Sequence, residues 1–561
     1  MFICNMVHWS LVSVIFGFIL VIAASFLGWY MFPKMILKKV TESVTILEGS
    51  DQYQRFVNLP QPIQFNVYIF NLSNPVQVQQ GDLPLVKEIG PYVYKQYRRK
   101  KVKKFLNGGS SVAYSQETRF IFDKESSLPF GENDKITILS IHMNAFLQIF
   151  ERDVEDIFLN LHSKFNNTIN KNPGIRLVRR LVDRLRGNRK SVLQLSEGNP
   201  ALSLLMTHLN HNLDMIFDNP SSMFLYTSVK NFLFDGVKFC INPSGLAKVI
   251  CNQIKDKGSK TIKTLQDGSL AFSLFNHKNG SSEDIYEIHT GKGDISKLAK
   301  IQKIDDMSSL QIWLNNTEEN LSICNMINGT DGSSYPPFLQ HRSPLYIYSN
   351  DICRSIEMIY EKDVKYEGIS ALRYRIGDNF VNNIGPEFQN DCFCSSKLLN
   401  IMKRKNGCLY PGALDLTLCL GSPIIITLPH MLGASVEYSR LIKGLNPDHK
   451  KHRTFVDIQE VSGIPLNGKK KIQFNMFLKN ISSIKLTENL TSILMPVLWI
   501  EEGVSLNIEN VIMMKSKLIN VLFTLKIIHW GAFIVGCIIV MLSIINYTIL
   551  NKKSSPVDRI G

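Results

Sequence analysis

Two uncharged apolar runs, one near each end, constrain this chain more than any other feature. Leu11 to Phe32 is 22 residues without a charge, and Ile527 to Leu550 is 24 residues whose one basic side chain is His529, at its edge. A bilayer core needs about 20 apolar residues, so each run is long enough to cross one. The other apolar runs are short and broken by charges. The first run could instead be a cleaved signal peptide, with Ala23-Ala24-Ser25 as its small-residue site. It lacks a basic leading region, however, and is too long for an ordinary signal core, so it reads as an uncleaved anchor. Trp9, Trp29, Tyr30, Trp530 and Tyr547 suit the two membrane interfaces. The expected order is a cytoplasmic tail 1–10, a span 11–32, an ectodomain 33–526, a span 527–550 and a cytoplasmic tail 551–561.

Charge and cysteine usage then assign the loop to a compartment. The 561 residues are 45% apolar and 20% charged, enough for a large core, and carry a net charge of 63 − 48 = +15. Much of that excess is local. Arg98-Arg99-Lys100-Lys101-Val102-Lys103-Lys104 holds six positive charges, and residues 176–190 hold seven against one Asp. Localised charge describes surface patches and gives no reason to expect nucleic acid as a partner. Lys552 and Lys553 favour a cytosolic C-terminus, whereas Lys34, Lys38, Lys39, Lys515 and Lys517 flank the spans on the loop side. The positive-inside rule is therefore poorly obeyed. Eight of the ten cysteines lie in the loop, Cys4 and Cys537 being the exceptions. Glycosylation sequons stand in the same loop at Asn71, Asn166, Asn279, Asn315, Asn320, Asn328, Asn480 and Asn489. An even cysteine count with sequons points to an oxidising compartment outside the cytosol. The expected location is the cell membrane, with the ectodomain extracellular.

Along the ectodomain, Phe65 to Phe70, Thr118 to Phe122, Leu270 to Phe275 and Ile285 to His289 read as strands. Ile89-Gly90-Pro91-Tyr92-Val93-Tyr94 places a Gly-Pro break before an extended run. In 472–478 an apolar face of Ile472, Phe474, Met476 and Leu478 alternates with Gln473 and Asn475. Phe146 to Leu161 and Leu202 to Phe217 have helical spacing, so a helical cap is expected over about 136–234. Catalytic motifs are missing: there is no Gly-x-Ser-x-Gly, His-Glu-x-x-His, P-loop or Gly-x-Gly-x-x-Gly. Cys392-Phe393-Cys394 is too tightly spaced for the usual zinc pairs and reads as structural. His430, His449 and His452 read as structural or surface histidines. No enzyme, cofactor or metal site is expected.

From Cys324 onward the residues become distinctive. Asn325 to Gly332, Tyr335-Pro336-Pro337-Phe338, Asp351 to Ile356, Leu428-Pro429-His430, Gly444 to Pro447 and Phe455 to Ile458 resemble the class B scavenger receptor family. That family includes the fatty-acid translocase, the lysosomal integral membrane protein and insect sensory neuron membrane proteins. Leu59 to Pro62, Val67 to Pro75 and Glu88 to Tyr92 extend the resemblance upstream, over essentially the whole chain. Asn219-Pro220-Ser221-Ser222, Leu233 to Gly236 and Leu498 to Gly503 look most like the sensory neuron branch.

The resemblance implies an α+β ectodomain with an antiparallel β-barrel-like core, a distal helical bundle and an internal apolar tunnel for lipophilic ligands. Six cysteines allow 15 pairings, and the resemblance implies Cys324 with Cys392, Cys353 with Cys419, and Cys394 with Cys408. Cys240 and Cys251 are left as a fourth pair. Two departures stand out. The lysine that precedes Ser-Ser-Met-Phe in fatty-acid-transporting members is missing before Ser221, where Phe217-Asp218-Asn219-Pro220 stands. This favours neutral ligands such as long-chain alcohols, esters or aldehydes. The stretch 176–186 is extra, and Arg176, Arg179, Arg180, Arg184 and Arg186 form either a docking patch for an acidic odorant-binding protein or a solvated helix face.

The expected function is a non-enzymatic receptor or transfer protein that passes pheromone-like molecules or lipids to an odorant receptor or the bilayer. A scavenger or trafficking receptor binding lipoproteins or a luminal protein by surface patches is the alternative. A ligand-gated channel subunit is a third reading, weakened by the sparse polar residues Ser13, Gly17, Ser25, Gly531, Gly536, Ser543 and Asn546 in the spans.

Overall fold

The computed structural model of the chain describes residues 2–151, 200–313, 323–340, 343–377, 380, 391–394, 402–404, 408–481 and 484–554. Two helices long and apolar enough to cross a membrane run over His8–Val44 and Ile508–Leu550. Both outrun the apolar stretches, because each helix continues on the ectodomain side into turns that bury Val40 and Val44, or Val511 and Met514. They pack along one another through their small residues. A Cβ added at Gly17 would press on Val540, one at Gly536 on Val21, and one at Gly28 would overlap the His529 ring. Close approach of this kind is what glycine permits between helices in lipid. Gly17 and Gly536, weighed above as pore features, thus lie between two helices of one chain.

Alternating residues build the ectodomain sheet. Its strands, in chain order, are β1 Ile63–Leu72, β2 Val86–Leu106, β3 Ser111–Phe122, β4 Lys135–Leu139, β5 Phe224–Ser228, β6 Val237–Phe239, β7 Ile262–Thr264, β8 Leu270–Phe272, β9 Gly280–His289, β10 Ile301–Ile304, β11 Leu345–Ser349, β12 Arg354–Tyr366, β13 Ile369–Ile376, β14 Leu414–Asp415, β15 Ile425–Thr427, β16 Phe455–Ile458, β17 Pro465–Leu478 and β18 Ile493–Ser505. The main sheet runs β10-β9-β3-β2-β1-β18-β17-β16-β13-β12-β11, with every ladder antiparallel. β15 adds to the upper half of β17 and carries β14. The Gly90-Pro91 step does not break the extended run. It lies inside β2, where the pairing with β1 shifts register between Val67 and Ile69.

β1 and β18 are hydrogen-bonded neighbours, with Phe65 opposite Glu502 and Ile69 opposite Leu498. The chain enters the sheet and leaves it beside the two spans, so the Ile63 and Ser505 ends are span-proximal and the Leu72 and Ile493 ends face the cap. Curling brings the edges β10 and β11 together, and residues 329–330 close the gap. Ile301 N donates to Gly329 O at 2.9 Å, Thr330 N to Tyr346 O at 3.1 Å, and Tyr348 N to Thr330 O at 2.9 Å. Edge strands carry unpaired backbone groups, and this two-residue seam bonds to both of them.

The cap side carries the pair β4–β5, the small sheet β6-β8-β7 and two helices, Pro200–Phe217 and Gly245–Lys257. Residues 141–151 are also helical. Asn144 and Gln148 anchor that helix by donating to Phe477 O at 2.9 and 2.6 Å, and Glu151 pairs with Lys479. The segment 136–234 is thus part strand at both its edges. Four disulfides, Cys240–Cys251, Cys324–Cys392, Cys353–Cys419 and Cys394–Cys408, staple the loop-rich regions.

Gly329 makes the seam possible. Its φ is +88°, and a Cβ there would overlap the Tyr346 carbonyl. Gly329→Ala should therefore lower ectodomain stability by about 2–4 kcal/mol, read as a fall in the thermal unfolding midpoint with the disulfides intact. An unchanged midpoint would show that closure of the sheet does not depend on this seam.

Candidate functional site in the barrel interior

Directly opposed residues in an antiparallel pair point to the same face, so one inward residue fixes a whole layer. Phe65, Val67 and Ile69 of β1 share a face with Glu502, Ile500 and Leu498 of β18, and these with Lys470, Ile472 and Phe474 of β17. The face is inward because rings from strands that are not neighbours meet on it. Phe65 lies 5.1 Å from Phe120 of β3 and 5.3 Å from Phe275 by ring centroids. Phe234 joins Phe120 at 5.4 Å and Tyr94 at 4.9 Å, and Phe275 meets Phe474 at 6.3 Å. The middle of the interior is therefore aromatic and apolar.

Toward the spans the same face becomes charged. Tyr94, Gln96, Arg98 and Lys100 of β2 follow one another inward at every second residue, with Arg99 and Lys101 outward. The basic run 98–104, expected as a surface patch, is thus split by strand alternation. Lys100 is only 4% exposed; it pairs with Asp331 at 2.7 Å and lies over the Phe56 and Tyr114 rings. That cation and the Ser333 hydroxyl hold the Asp331 carboxyl well below its usual pKa against the opposing effect of burial. Arg98 pairs with Glu502, Lys470 reaches Glu502 at 3.6 Å and Asp351 at 2.7 Å, and Lys278 reaches Asp351 at 2.6 Å. A chain of alternating charges therefore spans the interior at the level of Phe65. Desolvation alone would raise the Asp351 carboxyl, but Lys278 and Lys470 hold it well below 3.8. Sequence reading missed these residues, although counting alternate positions along Tyr94 to Lys100 would have turned Arg98 and Lys100 inward.

On the outer face, residues 428–454 form a strap over β17 and β18. It buries Gln473 and Asn475, the polar face of the alternation in 472–478. Asn475 donates to Ile425 O and Thr427 Oγ1, both at 3.1 Å, and His430 N donates to Gln473 Oε1 at 2.5 Å. Beneath the strap, Glu88 accepts from His430 Nε2 at 2.5 Å, Trp499 Nε1 at 2.8 Å and Lys451 at 2.9 Å. His452 stacks on His430 at 4.5 Å, and Trp499 stacks on Tyr68 at 3.9 Å.

Glu88, His430 and His452 place their ligand atoms within 4.8 Å of one another, a donor set of the kind that binds metal. The protons argue against it. Asn446 N donates to His430 Nδ1 and Asp448 N to His452 Nδ1, both at 2.9 Å. Each neutral ring therefore carries its proton on Nε2, the nitrogen a metal would need, and Lys451 already occupies the other Glu88 oxygen. Glu88, His430, Lys451 and Trp499 thus form a clamp that fastens the strap to β2 and β18, while His452 stacks on it with its Nε2 buried and without a partner among the described residues.

Of the residues singled out from sequence, the eight loop cysteines form the four disulfides above. Asn279, Asn480 and Asn489 are exposed, whereas Asn71 and Asn328 are half-buried. Asn166, Asn315, Asn320 and the five arginines 176, 179, 180, 184 and 186 lie outside the described residues. His452, read as belonging to a charged turn, is 1% exposed.

With this geometry in place, comparison with known proteins is informative. A family model described as the CD36 family matches residues 15–547. Sensory neuron membrane protein 2 of Drosophila melanogaster is 55% identical over 543 residues, 97% of this chain and 98% of that protein. Sensory neuron membrane protein 2 of Anopheles gambiae is 44% identical, covering 96% and 92%. Sensory neuron membrane protein 1 of Manduca sexta is 28% identical, covering 90% and 84%.

The buried histidines give the ectodomain an acid limit. Burial pushes His142 down to about 4, among the Phe217, Phe239 and Phe272 rings. Burial and His430 push His452 to about 4 as well. Each folded-state pKa lies below the unfolded value of 6.5, so stability is complete above about pH 6.5 and is lost as pH falls toward 4. The thermal midpoint should drop across that window. His142→Phe, which fits a ring among rings, should flatten the drop and stabilise the protein at pH 5 by about 1–2 kcal/mol relative to pH 7.5. An identical pH profile in the variant would mean that His142 is not held neutral.

Proposed function

Because the chain belongs to the CD36 family, we propose that it is a two-pass membrane receptor, without catalytic activity of its own, that takes lipophilic ligands into the barrel interior. Long-chain alcohols, esters, aldehydes, acids or membrane lipids fit this reading, delivered in chemosensory detection from an extracellular carrier to a receptor or the bilayer. The observation that carries it is the aromatic interior, Phe65, Phe120, Phe234, Phe275 and Phe474, set between a cap and the spans. Apolar walls shield a hydrophobic ligand from water, and few converging polar groups would orient it. The names of the relatives support a sensory setting. Glycosylation at the exposed sequons and an oxidising exterior accord with the same placement.

A second element of the reading concerns delivery. The arginines 179, 180 and 184 are the expected contact for an acidic carrier, and their reversal to Glu should abolish salt-sensitive docking of such a carrier. Docking that survives both reversal and high salt would remove this element and leave uptake intact.

The central test fills the interior. Ile472→Trp, on the inward face of β17, should reduce binding of a long-chain alcohol by the full-length protein about tenfold, while glycosylated protein still reaches the cell surface. Unaltered binding in a correctly folded variant would place the ligand outside the barrel and favour a receptor that works through surface patches.

A further inference from the structure

Among the described residues, the interior ion chain carries one positive charge more than its own carboxylates can match. Arg98, Lys470 and Lys278 supply three cations, and Glu502 and Asp351 two anions, so 3 − 2 leaves +1. The described groups nearby do not correct the surplus. Lys100 and Asp331 balance each other. His277 is neutral, pushed down to about 4 by desolvation and by Lys278. Asp284 is held by Asn350 at the exposed rim. Glu501, Lys469 and Lys471 form their own group on the opposite face of β17 and β18.

Two further observations show that the chain is incomplete. Arg98 Nε is buried with no acceptor among the described residues. Asp351 and Lys470 are surrounded by protein yet keep 30% and 26% of their side-chain surface open, so they border a space and not a packed wall, and Lys278 reaches them from a more exposed turn. An uncompensated cation and an orphan donor are costly away from bulk water, and one anionic group would satisfy both. The rings of Phe65, Phe120 and Phe275 stand beside the ion chain, with Phe65 directly opposite Glu502 and Lys278 5.7 Å from the Phe275 centroid, and Phe474, nearer the cap along β17 than Lys470, continues the apolar wall.

We propose that this ion chain is the seat of one ligand carboxylate, so that a single-headed amphiphile lies with its hydrocarbon among the phenylalanines and its head toward the spans. The inference rests on the reading that ligands enter the barrel, and it assigns the head-group preference to the barrel floor. The missing lysine before Ser221 favours neutral ligands when the sequence is read alone; the cations of the barrel floor would supply the acid preference that the cap lacks. Lys470 is the discriminating residue, because it is shared between Asp351 and Glu502. Without it, Arg98–Glu502 and Lys278–Asp351 remain as two neutral pairs and the surplus is gone.

The test titrates the full-length protein in lipid nanodiscs with oleic acid and with oleyl alcohol. Wild type should bind the acid more tightly, and Lys470→Met should weaken the acid about tenfold or more while leaving the alcohol within about twofold. Equal affinity for the two probes in wild type, or an undiminished acid affinity in the variant, would overturn the seat and leave barrel uptake standing. If neither probe binds wild type, uptake itself fails. Should Lys470→Met not fold, wild type can be photolabelled with a fatty acid carrying a diazirine beside its carboxyl. Label on residues 349–352 or 468–472 supports the seat, and label confined to the cap helix at 200–217 overturns it.

Discussion

Closure of one long antiparallel sheet on itself is the constraint on which the rest of this ectodomain depends. Eleven strands in series leave two edges, and the three hydrogen bonds made by Gly329 and Thr330 join them. Once the sheet is closed, alternate residues on every strand face an enclosed interior, and the side chains there have only each other for partners. The aromatic layer is the simple solution to that enclosure. Its rings meet across strands that share no hydrogen bonds, which holds the curvature and lines the interior with apolar surface.

The charged layer below is the expensive solution. Ion pairs withdrawn from water gain little over apolar packing, and removing one partner strands the other. Seven charged groups nonetheless line the described barrel interior, and orienting a ligand's head group is the role proposed for them above. The outer strap shows the opposite design. Glu88 there accepts from three donors at once, and both clamp histidines accept a backbone N–H at Nδ1, so the carboxylate is satisfied and only His452 Nε2 is left without a partner among the described residues.

Much of this organisation was legible in the sequence because it is local. The two spans follow from length and charge, and β1, β3, β9 and β17 follow from period-two alternation. The resemblance carried by the segment from Cys324 supplied the barrel-like core. What stayed hidden is what arises between distant segments. Gln473 and Asn475 read only as the polar face of β17, since nothing in that strand announces that a strap upstream will cover it. Arg98 and Lys100 read as surface charge because a run of basic residues looks solvated until the strand that carries it is given an inside. The seam at 329–330 involves two edges separated by more than 40 residues of chain, and only their meeting in space gives Gly329 its role.

The seam also dates an event in the making of the molecule. Asn328-Gly329-Thr330 is at once a glycosylation sequon and the tripeptide that closes the sheet, with Thr330 buried and Asn328 half-buried. An enzyme that must read the threonine hydroxyl can reach it only before the edges meet. Asn328 could therefore carry a glycan only in molecules where modification outran closure, and its occupancy would report that race. A mutation or a temperature that slows the last step of folding would leave its trace in the mass of the mature protein.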